Sequence, residues 1–324
     1  MRLILSVLLL TLAPLAAPVH AQGYPERPVT LVVPFAAGGP SDAIGRVIAQ
    51  RMSRELKQQI VIENVAGVGG TLGSARVVKA APDGYTLLIN DLALPSAPLL
   101  KRNLTFNVRA DLVPVGVLNT GPMVLIARRT LGIASVGDLA ARMKGDSTPL
   151  NLGHSGIGSN SHMCGLLLQA SIGAKVTEVA YRGAGPAMND LVGGTLDIMC
   201  EQTATALPQV QGGSVVALAV TSAARLPALP SVPTMIEAGH AGFEFVLWHG
   251  LYAPSGTPKP IIDVLSQAMN ASLDDPEIRA RYAEMGRSEL PPDARTPAAH
   301  AARLEAEIER LRGLLEGAGV KPQE

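Results

Sequence analysis

The sequence predicts a two-domain α/β protein of clamshell form, each domain a mainly parallel sheet flanked by helices. Three observations carry the prediction. Short apolar, β-branched runs alternate with helical patterns along most of the chain. Gly-rich turns feed helix starts in both halves. The length, 324 residues, fits two domains that each bury a core of their own.

In the first domain, Val29, Leu31, Val32 and Val33 form a strand, and Ile44, Val47, Ile48 and Met52 recur at helical spacing behind it. Between them lies Gly38-Gly39-Pro40. Glycine permits a positive φ in the turn, and proline suits the first helical position. Free N–H groups and the positive end of the helix dipole then attract an anion. A second strand over 60–63 passes through the Gly-rich 67–73 into a helix over 74–80, and a turn at Pro82-Asp83-Gly84 leads to a strand over 85–89. This β-α-β-α-β order implies a parallel sheet, whose ligands lie beyond the carboxyl ends of the strands. Both Gly-rich turns and Asn90-Asp91 fall at that edge.

Strands over 113–118 and 123–127 bracket Asn119-Thr120-Gly121-Pro122, which reads as a crossover into the second domain. There a helix over 135–143, a strand over 150–152 and a Gly-rich turn over 153–161 repeat the opening pattern, with a helix beginning near Ser161 or His162. A strand over 176–180, a helix over 187–192 and a strand over 196–200 follow, the last ending in Glu201-Gln202-Thr203, and then a strand over 215–221. Residues 243–252 read as the return crossing. In the C-terminal helices Leu304, Ile308, Leu311 and Leu315 form one stripe that belongs to a core. The expected division is 22–121 for the first domain, 122–247 for the second, and 248–324 for the return and the C-terminal helices. Two opposed anion sites across a cleft would suit a small molecule with carboxylates at both ends.

Residues 1–21 read as an export signal, with Arg2 as the basic start, an apolar middle over 3–15 and Val19-His20-Ala21 before the cleavage point. The apolar run is too short to cross a bilayer. The charges balance, 27 against 27, which excludes a broad basic field for nucleic acid or anionic membrane. In an exported protein Cys164 and Cys200 favour a disulfide over two small buried thiols. No histidine has companions at metal-ligand spacing, and no cofactor is expected. The alternative function is a secreted NAD(P)-dependent oxidoreductase using the turn from Gly67 to Gly73, but Leu72 stands where the third glycine of that fingerprint belongs. Gly153-His154-Ser155-Gly156-Ile157 lacks the final glycine of a nucleophile elbow. Asp42 either complements the start of its helix or meets a ligand ammonium, and Arg182 either pairs with a ligand carboxylate or lies in solvent.

Seven stretches, in order, resemble the Bug/TctC family of extracytoplasmic solute receptors, the binding components of tripartite tricarboxylate transporters. They are YPERPVTLVVPFAAGGPSDAIGR, VIENVAGVGGTLGS, KAAPDGYTLL, SGIGSNSH, VAYRGAGPAMNDLVGGTLDIM, LAVTSAARLPALPSVPTMIEAG and LYAPSGTP. The resemblance implies a Venus-flytrap fold with two hinge crossings and no catalysis. It implies that Phe35, Ala36, Ala37, Gly38, Gly39 and Asp42 cradle one carboxylate, with Asn64, Ala66 and Gly67 beside them. Ser155, Gly156, Gly158, Ser159 and His162 then take the other end of the ligand, and Thr203 faces the cleft. The implied partners are a small organic acid or amino acid and membrane permease subunits. The implied setting is the periplasm of a Gram-negative bacterium, with the receptor a monomer. Where the family has Arg-Pro-Gly after the asparagine, this chain has Val65-Ala66-Gly67, and Asn90-Asp91 replaces a hydroxyl-rich run. Selectivity is expected to rest on these departures at Val65 and Asn90-Asp91 and on the facing loop of the second domain.

Overall fold

The computed structural model describes residues 23–145, 148–317 and 319–320; the export segment expected over 1–21 lies outside them. The chain opens with β1 (Val29–Val33), α1 (Pro40–Leu56), β2 (Ile60–Asn64), α2 (Thr71–Val78), β3 (Thr86–Asn90) and α3 (Ala93–Leu100). β1 pairs in parallel with both β2 and β3. Its side chains are buried on both faces, which is why VTLVV reads as a continuous apolar run.

β4 (Leu112–Arg128) then leads to α4 (Val136–Lys144), β5 (Asn151–His154), α5 (Asn160–Ile172), β6 (Thr177–Ala180) and α6 (Ala184–Gly193). β7 (Ile198–Gln202), α7 (Thr203–Gln211) and β8 (Val215–Val220) complete a second lobe. The chain returns through β9 (Val246–Pro254) to α8 (Lys259–Leu273), α9 (Pro276–Glu284) and α10 (Pro297–Gly317). The strand order is β2-β1-β3-β9-β4-β7-β5-β6, with β8 also on β4. Parallel pairs occupy the outer parts of each lobe, whereas β4, β8 and β9 make antiparallel pairs at the centre.

One expectation needs correction. Residues 119–122 do not separate two strands, because β4 runs unbroken for 17 residues, roughly 55 Å at the usual rise of a strand. β9 lies antiparallel along it from Leu112 opposite Pro254 to Pro122 opposite Val246, and two register shifts let the pair bend. On the other side Thr120 exchanges backbone hydrogen bonds with Ser288, at 2.9 and 2.8 Å. These neighbours hold Gly121 and Pro122 extended against their turn propensity.

The apolar core has three parts. One lies under α1 and α8, around Val33, Ile44, Ile48 and Leu265; another lies under α6 and α7, around Ile126, Leu191, Met199 and Leu207. The third runs through both lobes, from Leu88 past Leu125 and Cys200 to Leu304, Ile308, Leu311 and Leu315 of α10. Each of these leucines and isoleucines contributes roughly 1.5–3 kcal/mol on burial. Cys164 of α5 and Cys200 of β7 form a disulfide, with their Cα atoms 6.0 Å apart. Among the described residues no helix is long and apolar enough to cross a membrane.

Candidate functional site

Four helices begin at one place. α1 starts at Pro40 behind Gly39, α5 at Asn160 behind Ser159, α6 at Ala184 behind Gly183, and α7 at Thr203 behind Gln202. Pro40, Asn160, Ala184 and Gln202 all border a single cavity between the lobes. Gly39, Gly183 and Gln202 provide no side-chain cap to their helices. The first-turn N–H groups and the aligned dipoles therefore favour an anion at these helix starts, with no basic side chain among the described residues of the lining, although Asp91 and Glu201 border the same cavity.

Phe35 and Met123 supply apolar wall, and Ser41 and Asp91 complete the first-lobe side. Opposite them Ser155, Ser159 and Ser161 form a hydroxyl cluster: Ser161 Oγ lies 3.2 Å from Ser159 Oγ and 3.3 Å from Ser155 Oγ, and it accepts from Ser155 N at 2.9 Å. The lobes meet around the cavity through Ala36 N to Arg182 O (3.3 Å), Ser96 Oγ to Gly158 O (2.8 Å) and Gln202 Nε2 to Asp91 Oδ2 (3.2 Å). This is a closed cleft. The cavity measures about 20 Å³, little more than one water, so the lobes must part to admit an organic ligand. A larger groove of about 670 Å³ beside α1 and β2, lined by Gln50, Arg54 and Lys57, meets none of the four helix starts.

Of the residues singled out in the sequence, Phe35, Ser155 and Ser159 border the cavity. Gly39 lies behind the start of α1, against Ala184 of the other lobe, while Ala37 and Gly38 lie at the exposed rim. Asp42 is turned to its own turn: it accepts from Gly38 N and Arg46 Nε at 3.0 Å, and from Asn64 Nδ2 at 3.0 Å. Burial pulls its pKa up, but these hydrogen bonds, led by Arg46, hold it below the usual carboxylate range. Asn64 also donates to Phe35 O at 3.1 Å, so the pair braces the loop. Ala66 and Gly67 precede a turn whose Gly69 packs on the Ile157 carbonyl of the second lobe. That contact covers Gly69 with protein backbone, while Val68 and Leu72 of the same turn stay exposed.

The second-lobe turn requires positive φ at Gly156 (102°) and Gly158 (85°). Two histidines hold it: His154 Nδ1 accepts from Gly156 N and His162 Nδ1 from Gly158 N, both at 3.2 Å. Both are neutral because burial depresses them, His162 to about 3. Thr203 turns its hydroxyl to Gly286 O at 3.3 Å, and Arg182 is exposed, reaching the other lobe by its carbonyl.

Several residues escaped the sequence reading. Ser41, Asn160 and Ser161 each lie one or two positions past a singled-out helix cap, and Glu201 and Gln202 directly precede Thr203. A buried polar chain backs the cavity. Arg287 donates to Asn119 Oδ1 and approaches His249 Nδ1, both at 3.0 Å, and His249 Nε2 lies 3.7 Å from Asp91 Oδ2. Arginine can only donate, so His249 Nδ1 accepts and its Nε2 carries the proton, facing Asp91 and Ser41. Burial raises Asp91, and it pushes Glu201 up to about 7 with a further rise from Asp91.

A curved sheet shared by two lobes, with a polar cavity at the helix starts between them, defines a two-lobed solute-binding protein. The family model described as the tripartite tricarboxylate transporter family receptor, TctC, matches residues 44–312. The chain is 42% identical over 318 residues, 98% of its length and 92% of the relative's, to a UPF0065 protein of the TAR-I ttuE-ttuC' intergenic region in Agrobacterium vitis. Its fold matches the periplasmic binding protein BugD at 40% identity and TM-score 0.90, covering 93% of this chain and 100% of that one. It also matches MatC of Rhodopseudomonas palustris with bound malate, at 38% identity and TM-score 0.87, covering 90% and 100%. The chain belongs to the TctC family of extracytoplasmic solute receptors, which are binding proteins and not enzymes.

Proposed function

We propose that the protein captures a small carboxylate between its lobes and presents the closed form to the permease subunits of a tripartite transporter. It acts as a monomer in the periplasm of a Gram-negative bacterium, exported by a signal cleaved after Ala21. The observation that carries this reading is the convergence of four helix starts, from both lobes, on one cavity with no basic side chain among the described residues of its lining. The malate held by MatC supports the ligand class. The lobes are assigned as 22–121 with 248–324, and 122–247. Phe35, Ser155 and Ser159 touch the ligand, as do backbone groups of Ala36, Gly39 and Gly156. Asp42, Asn64, His162 and Thr203 keep the surrounding turns in place, and Ala37, Gly38, Ala66, Gly67 and Gly158 shape them.

The test is calorimetry on mature protein freed of endogenous ligand by unfolding and refolding, against a panel of small mono- and dicarboxylates and amino acids. One of them binds at micromolar levels, and the same compound reduces the radius of gyration in X-ray scattering. Absence of binding across the panel would overturn the reading.

A further inference from the structure

The cavity is electropositive at its helix starts, yet its side chains are short of hydrogen-bond donors rather than acceptors. Asp91 of the first lobe and Glu201 of the second both border it, and among the described residues no lysine, arginine or histidine does. Asp91 has a cation at one remove, Arg287 behind His249. Glu201 has none among its recorded partners: Thr205 Oγ1 donates to its Oε1 at 2.8 Å, the Gln202 backbone N–H also donates to it, and Asp91 faces it as a second acid. Two further acceptors on the wall are buried and unpartnered, Asn160 Oδ1 and Gln202 Oε1, on side chains 3% and 5% exposed. The Asn160 amide acts on the Asp91 carboxyl as a hydrogen-bond donor at longer range, which leaves Oδ1 as the end that lacks a donor.

Resting on the receptor reading above, we infer that the ligand is a zwitterion, its carboxylate at the serines and helix starts and its ammonium group between Asp91 and Glu201. An ammonium brings three donors and one positive charge, which answers the unpartnered amide oxygens and the uncompensated acid together. A dianion brings only acceptors to a wall that already carries two carboxyl groups, where like charges in a poorly solvated site repel. The two acids come from opposite lobes, so the ammonium also links the halves of the closed cleft.

The experiment compares matched pairs that differ in the ammonium alone: L-aspartate with succinate, and L-alanine with propionate. Calorimetry uses unliganded wild type, Glu201→Gln and Asp91→Asn at pH 7.5, with circular dichroism to check folding. In wild type the amino acid binds about tenfold or more tighter than its partner in any pair that binds, the gain expected of a charge-assisted hydrogen bond. In Glu201→Gln that ratio falls about tenfold. Succinate binding as tightly as aspartate, or a ratio unchanged in Glu201→Gln, overturns the inference while leaving a carboxylate receptor standing. If no compound of the wider panel binds, the receptor reading falls with it. Should Glu201→Gln and Asp91→Asn fail to fold, the wild-type ratios alone decide.

Discussion

Reducing the disulfide should cost the second lobe a large share of its stability. Cys164 and Cys200 are 1% and 0% exposed and join α5, which carries the serine turn, to β7, which carries Glu201 and Gln202. With 36 residues separating them, the loop entropy removed from the unfolded chain amounts to about 4 kcal/mol. Domains of this kind have stabilities of about 5–15 kcal/mol, so the bridge supplies a large share. The assay is urea unfolding followed by far-UV circular dichroism, oxidised protein against protein held in dithiothreitol. We expect the reduced form to lose about 3–4 kcal/mol, with a first transition at lower urea as the second lobe melts. A loss below about 1 kcal/mol, or two free thiols counted in denatured, unreduced protein, would refute the reasoning.

Gly183→Val tests the closed cleft without disturbing either lobe. Gly183 has an extended backbone, φ 169°, that any residue adopts, but a Cβ there would lie 2.8 Å from Ala36 N across the cleft; ligand affinity should fall about tenfold or more, with unliganded melting unchanged, and wild-type affinity would show that the lobes do not approach there on binding. Arg287→Met leaves Asp91 without its cation and Asn119 Oδ1 and His249 Nδ1 without that donor; urea unfolding should register a loss of about 3–5 kcal/mol, and under about 1 kcal/mol would mean the charge is not needed. Burial holds His162 and His300 at about 3 and His249 well below 6.5, so the unfolded chain binds these protons first and stability falls as pH drops from 6.5 towards 3. Glu201, raised by burial to about 7, acts oppositely and loses its contribution as pH rises from 4.5 through 7. With His154 also depressed and Asp91 also raised, four imidazoles stand against two carboxyls, so a urea midpoint that rises between pH 7 and pH 5 would contradict this balance.

What the sequence makes legible is what local pattern encodes. The alternation of apolar runs, the Gly-Pro start of α1 and the α10 stripe all appear in the structure where spacing places them, while α5 begins at Asn160 behind the Ser159 cap, just ahead of the expected Ser161 or His162. α3 is hidden because ALPSAPLL carries two prolines and is buried nearly all round, so it has no polar face to set a period. α7 is masked in the same way by Pro208. The polar chain of Asn119, His249 and Arg287 has no local signature, since only the pairing of β4 with β9 and the bridge from Thr120 to Ser288 bring these residues together. Asp91 is the instructive case. Its departure from the family pattern is visible in the sequence, but whether it or Asn90 reaches the cavity depends on the Asn90 amide turning to Ser74 Oγ at 3.0 Å.

A strand that serves two sheets at once also makes the molecule indivisible. Excising the second lobe would sever β4 after Pro122, so that its central strand, residues 123–128 between β7 and β8, would begin at a cut in mid-strand instead of continuing from the first lobe. Any rotation of one lobe against the other has to pass through β4 near Pro122 and through the chain entering β9 at Val246, where the antiparallel ladder of 112–122 with 246–254 ends. One of these crossings is the middle of a continuous hydrogen-bonded strand, so the angular change falls on backbone already held by its neighbours and not on a free loop.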